Sequence, residues 1–179
     1  LRWKAIDLDN SYQRARDAAP HGFEPAHAER NFKIDFYEFY AWIEQALVLL
    51  QRVFGVDIEA GRNGSRTNHT YHHNVLKALE DDDNPLHSVL GEGDVNHALW
   101  KAKELRNSWK DAAGEGQTPP LGMYDLRWVV SQILAGLEAA YLRALEHVAA
   151  QNATMTPANG AGAVEEEGWD WMVDSMDWE

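Results

Sequence analysis

The sequence predicts an all-α helical bundle: two long helices at about 31–54 and 125–150, two or three shorter ones, and a short C-terminal amphipathic helix. Three observations predict it. Apolar residues recur at helical spacing along most of the chain. Gly and Pro punctuate the chain between those stripes, where helices stop. No segment offers a partner strand, so strand content should be close to zero.

The first helix is expected over 6–19, ended by Pro20 and Gly22, with 20–30 as a loop. The strongest stripe follows: Phe32, Phe36, Phe39/Tyr40, Ile43, Ala46/Leu47, Leu50 and Val53/Phe54, stopped by Gly55. A helix over 31–54 is about 36 Å long and reads as the central rod. Asp57–Thr67, with Gly61, Asn63 and Gly64, reads as a loop. Tyr71, Val75, Leu76 and Leu79 mark a short helix over 67–80. It should stop by Glu80, because Asp81, Asp82 and Asp83 are disfavoured at the negative end of a helix dipole. Leu86–Leu90 suits a single turn before Gly91 and Gly93. Asp94 is a candidate N-cap for a helix over 95–112. Gly114–Pro120 breaks that helix, and the last long helix begins near Asp125.

The division expected is a bundle over 1–150, a linker over 151–164 rich in Ala, Asn, Thr and Gly, and an acidic, aromatic segment over 165–179. The chain has 179 residues and a formal net charge of −13. Seven of its acids, and no Lys or Arg, lie in 165–179, which leaves −6 on the rest. A domain of that sign is a poor phosphate binder without a local basic patch. There is no cysteine, which excludes a disulfide framework and a thiolate zinc site. No apolar run approaches the ~20 residues that a membrane helix needs. The first residue is Leu1, and the visible start does not read as a signal peptide. The sequons at Asn63, Asn68 and Asn152 are read as chance, and the setting expected is intracellular, cytoplasmic or nuclear. No phosphate loop, nucleophile elbow or dinucleotide fingerprint is present, and no cofactor is expected.

Three segments carry candidate chemistry. His69 and His73, at i and i+4, would share one helix face and suit two metal ligands, with His87 or His97 as a third. Thr70 stands where the zinc-protease pattern needs its Glu, so that general base is absent. The bland alternative is a polar helix start, and it is preferred.

The second is Leu105-Arg106-Asn107-Ser108-Trp109-Lys110-Asp111, near a helix end and ahead of a long amphipathic helix. Arg106-Asn107 together with the helix order over 31–150 resembles HEPN domains, which are all-helical bundles. The resemblance implies an Arg and a His about five residues apart that act on RNA, usually at a dimer interface. The Arg would stabilise charge developing on a phosphate attacked by a 2′-hydroxyl. Asp111 occupies the position of the His. With a reference pKa of about 3.9 it is a poor acid for a leaving group at neutral pH, and its charge repels phosphate. That departure favours a non-catalytic member. A structural salt bridge of Arg106, to Glu104, Asp111 or another helix, is the competing reading.

The third is the C-terminal segment, which holds three of the eight tryptophans in its last eleven residues. As a helix it would align Trp169, Met172, Val173 and Met176 on one face, with Trp171, Ser175 and Trp178 beside them. Asp170, Asp174 and Asp177 would take the other side. Each indole can bury on the order of 200 Å². At roughly 25 cal/mol per Å², leaving three in water is costly. The segment therefore reads as a docking element for a basic or apolar groove, on a protein partner or in a homodimer. Folding back onto its own bundle and disorder are the alternatives. Its acidic sign argues against a membrane surface. The overall expectation is a non-enzymatic interaction module, with a HEPN-type ribonuclease or an inactive RNA-binding relative as the runner-up.

Overall fold

The computed structural model describes residues 1–58, 68–110 and 120–155, apart from the side chains of 68–71 and 155. Asp111 and the whole of 156–179 therefore lie outside the described residues. Those described are all helix, turn and loop, without strand. The helices are α1 (Arg2–Arg16), α2 (Pro25–Val53), α3 (Asn68–Leu79), α4 (Gly93–Trp109) and α5 (Leu126–Met155).

The two long rods stand where the stripes predict them, with two extensions. α2 begins at Pro25 rather than about 31. Proline is well suited to the first helical position, where no amide partner is needed. Glu24 caps the helix, its carboxylate accepting from the His27 amide at 2.9 Å. Pro25 thus starts a helix and does not belong to the loop expected over 20–30. α5 continues to Met155, so the segment expected to be linker from 151 opens with one more turn of helix. It starts where expected, next to Asp125, whose Oδ1 caps it by accepting from the Trp128 amide at 3.0 Å. α1 lies several residues earlier than expected, and α4 starts with Asp94 inside its first turn rather than as the cap.

α2 and α5 run parallel. Phe32 lies beside Leu126 and Val130 at one end, and the Phe54 and His147 rings are 4.7 Å apart at the other. α1 runs antiparallel to both. Arg127 meets Asp9 at 3.6 Å midway along α1, and Arg2 meets Glu138 at 2.6 Å at its start. Lys4 bonds Glu38 on α2 at 2.7 Å. The core runs along this seam and under α4. Trp109 stacks edge-on against Phe32, Phe36 and Tyr124 at 5.0–5.7 Å. Such pairs add to the burial of the rings themselves.

The acidic turn after α3 is held by a buried amide pair. Asn84 Nδ2 donates to Ala78 O at 2.6 Å and to Gln51 Oε1 at 3.3 Å, and its Oδ1 accepts from the Leu86 amide. A single π-turn over His87–Gly91 follows. A Cβ on Gly91 would sit 1.9 Å from the Leu79 carbonyl oxygen, so only glycine lets this turn close on α3.

Candidate functional site

Two features of the bundle stand out: a closed polar cluster across three helices and an open apolar seam.

The cluster centres on Arg106, which is 6% exposed. Tyr37, Tyr40 and Glu44 lie on one stripe of α2, three and four residues apart, and face α3 and α4. His72 comes from α3 and Arg106 from α4. The Arg106 guanidinium donates to Tyr37 Oη, His72 Nε2 and Asn107 Oδ1, each at 3.0 Å. It also lies 4.7 Å above the centre of the Tyr37 ring. Arginine can only donate, so His72 Nε2 accepts and the ring hydrogen sits on Nδ1. That Nδ1 donates to Glu44 Oε1. The result is a chain, Glu44–His72–Arg106–Tyr37, that spans α2, α3 and α4. Tyr40 packs edge-on against the His72 ring. Burial raises the Tyr40 hydroxyl pKa well above its ordinary value; Glu44 adds to the rise and Arg106 opposes it.

The predicted residues fare unevenly against this geometry. Arg106 and Asn107 do meet, but Arg106 takes no salt bridge to Glu104, which pairs with Lys101 at 3.1 Å. Asp111 lies outside the described residues. His73 is exposed and packs against Trp100, with Lys103 Nζ at 3.3 Å. His87 bonds the Leu79 carbonyl, and His97 lies against Trp128. His73, His87 and His97 thus each have other neighbours, and the described residues contain no group of three metal-ligating side chains. The side chain of His69 is not among them. The histidine that joins the cluster, His72, is not one of those the i, i+4 spacing selects. Its spacing to Val75, Leu76 and Leu79 places it on the buried face, which is the signal that could have found it.

The apolar seam lies between the C-terminal halves of α2 and α5. α1 overlies these two helices as far as Glu138, and Leu1 sits at the mouth of what continues beyond. There a groove of about 650 Å³ is lined by Leu49, Val53, Tyr141, Leu145 and Val148, each between 38 and 60% exposed. Among the described residues its only charged lining is the Arg2–Glu138 pair at one end. Contiguous apolar surface of this kind marks an interaction site more often than a lone exposed leucine does. The docking residues named from sequence, Trp169, Asp170, Trp171, Met172, Asp174, Met176, Asp177 and Trp178, all lie outside the described residues.

No described helix is long and apolar enough to cross a membrane. In comparisons with family models, curated proteins and solved structures, the chain matches none.

Proposed function

We propose that this chain is a non-enzymatic protein–protein interaction module. The bundle is the scaffold, and the acidic, Trp-rich segment 165–179 docks on a protein partner. The observation that carries the reading is the uncovered seam at Leu49, Val53, Tyr141, Leu145 and Val148. A bundle with so well-packed an aromatic core has no need to leave five large apolar side chains in water unless something covers them. The polar cluster argues the same way from the other side. Both nitrogens of His72 and both terminal nitrogens of Arg106 are engaged inside the bundle, which suits a clamp between helices better than a reaction centre. The compartment, cytoplasmic or nuclear, rests on the sequence alone.

The test uses full-length protein as bait, compared with the Trp169→Ala/Trp171→Ala double variant. The reading expects a partner or a self-association that is lost in the double variant while the helical circular dichroism is kept. The same retained proteins and the same oligomeric state in both would count against it.

One observation favours the runner-up, a HEPN-type ribonuclease or an inactive RNA-binding relative. His72 supplies in space, at 3.0 Å, the histidine that the sequence lacks beside Arg106. RNA cleavage by the wild type that disappears in folded Arg106→Ala protein would overturn the preferred reading.

A further inference from the structure

We propose that the groove beyond Glu138 is the intramolecular seat of residues 169–178, which lie along it antiparallel to α5 and cover it in the absence of a partner. The proposal deepens the interaction reading and rests on it: the face that a partner would take is the face stored here.

Length, position and chemistry support this occupant. Along α5 the uncovered seam runs from Glu138 to Val148, about 15 Å at ~1.5 Å per residue. Trp169–Trp178 as a helix is about 14 Å long. α5 ends at Met155, two turns past Val148. The nine residues 156–164 span at most about 30 Å when extended. That is enough to reverse direction and return to the level of Val148. A helix coming back this way continues the line of α1, which already runs antiparallel to α2 and α5 along the same seam. The groove is apolar from Leu49 across to Leu145, and Trp169, Met172, Val173 and Met176 would form one apolar helix face. Asp170, Asp174 and Asp177 would then face water. Adaptable Met side chains and flat indoles suit a shallow groove with few polar groups to satisfy.

In this register Met172 falls opposite Leu145, and the absence of native cysteine makes a cross-link test direct. The full chain carrying Leu145→Cys and Met172→Cys is treated with a mild oxidant that accepts the two thiol electrons. Leu145 is half-exposed, so the change does not open the core. A second pair, Tyr141→Cys with Met176→Cys, tests the same register one turn on. A control pair joins Met172→Cys to Glu104→Cys on the outer face of α4. The proposal expects a disulfide within one monomer for both test pairs, forming at least about tenfold faster than in the control because the local concentration is high. A disulfide-linked dimer overturns it in favour of a second copy's segment. Test pairs that form no faster than the control overturn it outright. If the links fail while Trp169→Ala/Trp171→Ala still abolishes association, the interaction reading stands and only the storage site falls.

Discussion

Replacing Arg106 with Met tests whether the polar cluster is a structural clamp. Methionine keeps much of the volume and removes the three hydrogen bonds to Tyr37, His72 and Asn107. Tyr37 is partly exposed, so its hydroxyl recovers water and its loss counts for little. Asn107 is at the cluster's edge. The cost falls on His72 and Glu44, whose side chains are only 11 and 12% exposed and would keep a carboxylate without its cation. Breaking a buried charge arrangement from one side costs about 3–5 kcal/mol. Because Glu44 keeps its bond to His72, the lower figure, about 3 kcal/mol, is expected. With a urea slope of about 2 kcal/mol per molar for a domain of this size, the midpoint should fall by about 1.5 M. The assay is urea denaturation followed by circular dichroism. Tyr37→Phe is the companion variant and should cost less than about 1 kcal/mol. A midpoint shift below about 0.3 M for Arg106→Met would refute the clamp and leave the guanidinium free for another task.

Other outcomes follow from the same structure. Glu80 accepts from Lys77 Nζ at 2.8 Å and from Trp100 Nε1 at 2.6 Å, and these bonds, the lysine's first, hold its carboxyl below its ordinary value of 4.5. Its stabilisation is therefore present above pH 4.5 and lost as pH falls through the lowered value; Glu80→Gln should be less stable than wild type at pH 7 by about 1 kcal/mol, with the gap closing in acid titration followed by thermal melts. Gly91→Ala should cost about 3 kcal/mol in denaturant titration, because the new methyl meets the Leu79 carbonyl with no flexible side chain to yield. Leu49→Asp with Leu145→Asp should leave the fold's melting temperature within a few degrees, since both positions are exposed, but should abolish the cross-link from Met176→Cys to Tyr141→Cys.

Much of the architecture was legible because it is local. The Phe32–Phe54 stripe repeats over six turns, and a pattern that long admits one helical face. The start of α2 was misplaced because Pro25 serves equally as loop punctuation and as a first helical residue, and only the Glu24 cap decides. The π-turn over His87–Gly91 has no period of its own to read. Arg106 stands out in the sequence beside Asn107, but its partners lie 34 and 69 residues away, at His72 and Tyr37. Nothing short of packing three helices reveals them. The pair His69 and His73 drew attention through i, i+4 spacing, while His72 carries the structural role because it shares a face with the leucines. The open seam was illegible for the opposite reason: Leu49, Leu145 and Val148 look like ordinary core residues until the neighbouring helix is seen to stop short of them.

The central claim is that the C-terminal indoles are covered, and residue-resolved hydroxyl-radical footprinting of the full chain measures this most directly. Two internal standards are built in: Trp3 is 76% exposed and Trp109 is 2% exposed. The account predicts modification of Trp169 and Trp171 at rates near that of Trp109, rising toward that of Trp3 in the Leu49→Asp/Leu145→Asp variant. Rates equal to that of Trp3 in the unaltered protein would contradict it.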